Sequence, residues 1–553
     1  MDIRRTILLV IFAFSLFMLW NNWQVHQGGT PLIGVEPQQA SQSQTTDKSQ
    51  PGVPNAAQAN GQPAVAPIPA QATQSEIVTI TTDVLRMEFD LIGAQLVKAE
   101  LLKFPETNNR AVPFVLLDNN DEHTYIVQTG IVGAPDGQNY PTHLIPFRLL
   151  EGPTSMQGDT LTVRFEAESD GVRVTKSFTF KKGSYAIDVD HQIENLTDNP
   201  VTPSLYLQIT RDDSTPETTS GFYSTFTGAA VYSEEDKFQK VDFSDIAKKK
   251  ADYIKETNNG WFAMIQHYFV TAWVPRQGTE RSYDMANIGN SDLFAIRSIE
   301  SVGSIAPQQS QTVPAKLWVG PQDQDQLNEL APELGLVVDY GWLTIIARPL
   351  FVLMTWIHSL LGNWGWTIVA LTVLIKIVFY PLSSASYRSM AKMKQVAPRL
   401  QALKEQYGDD RQKMNAAMME MYRTEKINPL GGCLPMLIQI PVFISLYWVL
   451  LASVEMRGAP WVLWVDDLSV RDPLFILPAV MMATMFLQIK LNPTPPDPTQ
   501  AKVMMIMPLV FGGMMFFFPA GLVLYWCVNN ILSIAQQWLI TKRMKDLSQQ
   551  AKR

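Results

Sequence analysis

One lysine stands inside a stretch that should exclude charge. Asn363 to Leu382 reads NWGWTIVALTVLIKIVFYPL, a nearly apolar run of 20 residues carrying Lys376. A helix of that length reaches about 30 Å, the hydrocarbon thickness of a bilayer, so the run reads as a membrane span. An ammonium near its middle costs roughly 2.5 to 3.5 kcal/mol to insert, a cost reduced by a polar partner, water or snorkelling. Snorkelling is open to Lys376, because Pro381 follows closely and the four-carbon stem could lift the charge toward headgroups. Thr372, Lys376 and Tyr380 also fall at i, i+4 and i+8, which lays a polar stripe along one helix face. Such a stripe fits a wet surface inside the protein. Its chemistry is electrostatic: a fixed cation attracts carboxylates, and hydration lowers the cost of passing polar groups.

Other apolar runs carry polar residues at depth. Asn428 to Leu451 holds Gln439, with Pro435 and Pro441 to kink the helix and free backbone carbonyls. Asp472 to Lys490 holds Gln488 near its end. Val503 to Ile540, at 38 residues, is too long for one span, and Phe518, Pro519, Ala520 and Gly521 mark a turn within it. Beyond that turn Tyr525, Asn529, Ser533 and Gln537 recur at spacings of four. Polar stripes often only hold helices together. Here Thr372, Lys376, Gln439, Gln488, Tyr525 and Asn529 come from several helices and together could line a hydrated groove.

No spacing selects covalent chemistry. H-E-x-x-H, G-x-S-x-G, Walker and paired-cysteine patterns are all missing, and His123, His143, His191 and His267 are dispersed. No metal or cofactor is expected. Cys433 and Cys527 both lie in apolar runs and read as small buried residues.

The elements that must position these residues divide the chain by charge. Residues 76 to 342 hold 38 Asp and Glu against 21 Lys and Arg, a balance of −17; residues 343 to 553 hold 11 against 20, a balance of +9. Arg4 and Arg5 precede an apolar run from Ile7 to Trp20 with no small-residue cleavage site after it, so residues 1–25 read as an uncleaved signal anchor. Residues 26–75, rich in Gln, Pro and Ala, read as a disordered linker. Period-two runs such as TLTVRFEAE and VRVTKSFTF predict an antiparallel β-sandwich over 76–320, its core filled by Trp261, Phe262, Tyr268, Phe269 and Trp273. Residues 321–361 read as a linking helix and an amphipathic helix in the outer interface, because the turn at Gly362 and Asn363 is too short to join two full spans. The membrane core covers 362–541.

Within that core, residues 383 to 427 carry nine Lys and Arg against five acids, which puts them in the cytoplasm. Helical patterns flank Gly408, Asp409 and Asp410, so 384–425 is a helical hairpin. Met390, Met393, Met414, Met418 and Met419 suit either an adaptable apolar client surface or packing between its two helices. The basic tail, 542–553, also lands inside, as does the N-terminus.

These stretches resemble the YidC membrane protein insertases of Gram-negative bacteria, relatives of the Oxa and Alb insertases. The resemblance is carried by NWGWTIVALTVLIKIVFYPL, SMAKMKQVAPRLQALKEQYGDD, NPLGGCLPMLIQIPVFISLYWVL and FPAGLVLYW, and it covers the whole chain. It implies a polytopic α-helical membrane protein with an N-terminal anchor, a five-helix core and a large periplasmic all-β supersandwich. It further implies a groove open to cytoplasm and lipid and closed on the periplasmic side. Its implied partners are nascent inner-membrane proteins, the Sec translocon, the ribosome, the signal recognition particle receptor and membrane lipids; no nucleic-acid site is evident. The family's groove cation is usually arginine, and Lys376 at the matching position keeps the charge without the planar fork. Trp526 stands where relatives often carry a second tyrosine and keeps an aromatic contact for substrate. The short tail argues against strong independent ribosome binding.

The expected function is insertion and folding of inner-membrane proteins in the bacterial cytoplasmic membrane, without enzymatic chemistry. A secondary transporter would also use a buried lysine, but no two-fold internal repeat is evident. An envelope carbohydrate-active protein would place an acidic pair in the β domain, and no spacing selects one.

Overall fold

The computed structural model describes residues 53–54, 76–107, 109–215, 225–289, 291–407, 410–424, 434–492 and 498–550. The expected signal anchor, and the linker except for two residues, lie outside the described residues. Two compact units divide between Val338 and Asp339.

The first unit is the all-β sandwich that the alternation predicts. Among the described residues it has two nine-stranded sheets, one running from the edge strand Ile77–Thr81 to Glu256–Thr257, the other from Lys237–Val241 to Arg148–Leu149. Neighbouring strands pair antiparallel, as where Val172–Lys181 lies along Ala186–Asn195 with Val174 opposite Ile193 and Phe178 opposite Val189. In Val172–Lys181 alternate residues from Val172 to Phe180 are buried, which is the pleat written in sequence. Phe89 of one sheet meets Phe165 and Phe178 of the other at centroid distances of 5.4 and 4.9 Å, closing the core between the sheets. Trp261, Phe262, Tyr268, Phe269 and Trp273 are all buried.

The same alternation turns one cation inward. Lys176 is fully buried, and its Nζ donates to the carbonyls of Gly93 at 2.6 Å and Thr129 at 2.7 Å, both from the opposite sheet's side of the core. It also lies 4.5 Å from the Phe147 ring centroid. Burial lowers its pKa to about 7. Two short helices, α1 (Phe243–Ala247) and α2 (Gln324–Leu330), complete this unit, α2 being capped by the Asp323 side chain.

The second unit is helical. Helix α3 (Thr344–Leu361) ends on Gly362, whose φ of 64° needs glycine's freedom, and Asn363 caps α4 (Trp364–Val378) by accepting from the Trp366 amide at 3.0 Å. Gly341–Leu361 is long and apolar enough to cross a membrane. Its exposed face carries Ile345, Val352, Trp356 and Leu360 beside the single charge of Arg348.

Helix α4 stops earlier than the apolar run suggests. The chain bends by 68° and restarts as α5 (Tyr380–Tyr407). Pro381 is the physical reason, since it has no N–H for the Ile377 carbonyl and its ring crowds the preceding turn. Tyr380 therefore leaves the expected stripe and is exposed, whereas Thr372 and Lys376 are buried. The expected hairpin likewise starts within a helix already running from Tyr380 and returns through α6 (Arg411–Thr424).

Three further apolar helices follow: α7 (Leu434–Ala452), with Pro441 inside it, α8 (Ile476–Leu491) and α9 (Pro498–Met514). After an extended Phe518 and Pro519, α10 (Ala520–Gln550) continues unbroken into the segment read as the tail. It packs against α4, α5, α7 and α8 and so forms the spine of the unit.

Candidate functional site

Polar residues from three helices converge on one face of α10. Lys376 Nζ, 5% exposed on α4, donates to Ser533 Oγ at 2.8 Å, and that hydroxyl donates to the Asn529 carbonyl at 2.7 Å. The Asn529 side chain in turn accepts from Gln439 Nε2 of α7 at 3.2 Å. Tyr387 of α5 also reaches the Ser533 side chain. The i+4 spacing of Asn529 and Ser533 sets both on one face of α10, and helix packing brings Lys376 and Gln439 to that face. Among the described residues no carboxylate pairs with Lys376.

Thr372 is buried on α4, and its Oγ1 donates back to the Ile368 carbonyl at 2.7 Å, which spends its proton within its own helix. Tyr525 and Trp526 join an aromatic group one turn before Asn529. Phe443 of α7 stacks on Tyr525 at 5.7 Å and meets Trp526 edge-on at 4.4 Å, while Phe511 of α9 lies 4.6 Å from Trp526. The Trp526 indole nitrogen is buried with no hydrogen-bond partner among the described residues. An apolar wall thus adjoins the polar row.

Gln488 is half-buried on α8 and is not joined to the Lys376–Ser533 pair. Helix α8 meets a different face of α10, where Asn530 Nδ2 donates to Thr484 Oγ1 at 3.3 Å and Gln537 Nε2 to Asn492 Oδ1 at 3.0 Å. The hairpin methionines stand apart from both rows. Met390, Met393, Met414 and Met418 are half-buried, and Met419 is 63% exposed.

Sequence reasoning missed Tyr387, Phe443 and Phe511 as neighbours of the site. Ser533 carried a signal, since it sits on the four-residue repeat of α10, but its partner could not be read from spacing.

Residues 77–353 match the YidC periplasmic domain and residues 356–549 the 60Kd inner membrane protein. The membrane protein insertase YidC of Bordetella petrii is 64% identical over 99% of this chain and 98% of its own. That of Dechloromonas aromatica is 50% identical over 98% and 97%. A solved structure of an active YidC insertase aligns over 84% of this chain and 92% of its own at 18% identity, with a TM-score of 0.38. Identity this high along nearly the full length places the chain in the YidC family, with a YidC periplasmic domain followed by a 60Kd inner membrane protein domain.

Proposed function

We infer that this protein inserts and helps fold inner-membrane proteins, acting as a non-covalent insertase. The observation that carries the reading is the buried Lys376, held by the neutral Ser533 beside Asn529 and Gln439 on otherwise apolar helices, in a chain whose relatives are named membrane protein insertase. The ammonium has three donors and Ser533 takes one, so a client carboxylate or water has donors to meet. A hydrophobic client segment would meet the hairpin at Met419 while its short polar or acidic end enters the groove. Lys376 attracts that end and hydration lowers its transfer cost; the apolar segment then passes along Tyr525, Trp526 and Phe443 into lipid. The driving force is apolar partitioning together with the membrane potential, about 2.3 kcal/mol per charge per 100 mV.

In this reading both termini and the hairpin are cytoplasmic, the β-sandwich is periplasmic, and α3 lies in the outer interface. The protein works alone or beside the Sec translocon, with the ribosome and the signal recognition particle receptor delivering clients. The test is photo-crosslinking to a stalled nascent membrane protein. A crosslinker at Asn529 or Trp526 is expected to capture the client, and one at Val231 in the β-sandwich core is not; a client that inserts without touching either groove position overturns the reading. Deleting residues 80–310 is expected to leave complementation of a depleted strain largely intact, since the polar rows and hairpin all follow Trp342.

A further inference from the structure

Three helices begin at one end of the membrane unit, and a single segment holds all three starts. The first amides of a helix have no partner within it, so each start must find acceptors elsewhere. For α10 they come from the segment before α8: the Ala520 amide donates to the Val470 carbonyl at 2.7 Å and that of Gly521 to Leu468 at 2.9 Å. For α4, Asn363 accepts from Trp366 and donates from Nδ2 to the Pro460 carbonyl at 3.0 Å. Trp461 lies so close over Gly365 that a Cβ there would sit 2.2 Å from the indole. For α8, the residue before the helix is Phe475, whose side chain cannot cap, and Asp472 takes over. Its Oδ2 accepts from the Leu477 amide at 2.7 Å, while Oδ1 accepts from Leu474 at 3.0 Å and from Trp464 Nε1 at 2.9 Å.

The segment is itself folded. The Trp461 amide bonds to Val465 and that of Leu468 to Ala459, and Val465, Leu468 and Asp472 are each 1% exposed. Asp472 is a carboxylate buried among three N–H donors, one of them, the Leu477 amide, in the first turn of α8, where negative charge is favoured. It fastens the middle of the segment, at Trp464, to the first turn of α8.

The geometry points to residues 460–472 as the seal over the outer end of the groove and to Asp472 as the positioning residue that keeps it shut. This rests on the groove reading above and on residues 453–475 facing the periplasm. A wet groove needs such a barrier, because water and ions would otherwise cross the bilayer wherever polar groups are lined up for a client. Removing the carboxylate frees Trp464 and the first turn of α8 together, and the segment that covers the starts of α4 and α10 loses its fixed end.

The experiment reads sidedness. In full-length protein with Cys433→Ser and Cys527→Ser, Ile368→Cys puts a thiol beneath the seal, since the Ile368 side chain lies beside Gly521. A membrane-impermeant maleimide is added from the periplasmic side. With Asp472 intact the thiol is expected to stay unlabelled; Asp472→Ala is expected to speed labelling about tenfold, the scale set by loss of one helix cap. Asp472→Asn, which keeps the oxygen that Trp464 and Leu474 use, is expected to restore most of the protection. Should Asp472→Ala fail to accumulate, Trp464→Phe removes only the indole donor and is expected to raise labelling by a smaller factor. Labelling of the parent from outside, or full protection in every variant present at parental level, overturns the assignment. A separate thiol, Asn529→Cys, is probed from the cytoplasmic side in inverted vesicles: failure to label there rejects the groove and leaves the periplasmic-side result to stand by itself.

Discussion

Lys376 and Ser533 lie 157 positions apart in the chain and 2.8 Å apart in space, a buried ammonium against a neutral hydroxyl. A carboxylate partner would have cancelled the charge. A hydroxyl holds the ammonium in place and leaves its field available to whatever enters beside it.

Charge at this position is therefore expected to discriminate between clients. Lys376→Arg retains function, Lys376→Ala impairs clients with acidic translocated regions most, and Lys376→Glu is worst because attraction becomes repulsion. The measurement is insertion of a matched pair, one acidic and one neutral, normalised to the amount of each variant in the membrane. Equal losses for the two clients would remove the electrostatic role.

Ser533→Ala takes away the partner of Lys376 without touching its charge. The buried ammonium then lacks that bond, and stability is expected to fall by about 1 to 3 kcal/mol. In Lys376→Met the same serine change should cost much less, since no charge remains to satisfy. Thermal unfolding of the four proteins in detergent gives the coupling, and additive losses would mean that the pair contributes nothing as a pair.

Among the hairpin methionines only Met419 is strongly exposed, on α6. Met419→Ser is expected to weaken client crosslinking from the hairpin severalfold with unchanged protease resistance. The same change at half-buried Met393 or Met418 should instead loosen the α5–α6 packing and raise proteolysis. The reverse order would assign the client surface to the seam between the helices.

The β-sandwich should carry a pH dependence from its interior. Burial lowers Lys176 to about 7 from 10.5, so between these values the unfolded chain binds a proton that the folded one does not. Stability of this unit is expected to rise as pH increases from about 7 to about 10.5. His143 and His191, each lowered to about 3 chiefly by burial, act in another window, and stability falls as pH drops below 6.5 toward 3. Lys176→Met leaves the Gly93 and Thr129 carbonyls without their donor and is expected to flatten the alkaline slope, so its deficit against the parent is largest near pH 10 and shrinks toward pH 7. Protease resistance of the β unit in the solubilised full-length protein, followed against pH, checks both windows. An unchanged alkaline slope in Lys176→Met would assign it to other groups.

Much of this architecture is written locally. The two-residue period of VRVTKSFTF is a property of the pleat, so the sandwich and the inward face of Val172, Val174 and Phe178 are legible without knowing any partner. Read strictly, the same period turns Lys176 inward as well, a signal that the apolar expectation for a core overrode. The four-residue repeat of Tyr525, Asn529 and Ser533 is equally local, because helical geometry alone lays them along one side of α10, whereas the repeat drifts until Gln537 meets Asn492 on the face turned to α8.

What tertiary structure decided is which surface each pattern meets. Spacing extended the α4 stripe to Tyr380, but the bend at Phe379 and Pro381 ended it, and packing against α10 gave Lys376 its partner in Ser533. Composition left five hairpin methionines open to client contact or to helix packing; the folded unit half-buries four of them and leaves Met419 exposed. Nothing in the run from Pro460 to Asp472 announces that it holds the starts of α4, α8 and α10. Periodicity follows from the backbone geometry of one element and is fixed by neighbours in sequence. Contacts between elements depend on where long-range packing brings each face, and that is settled only when the whole unit has folded.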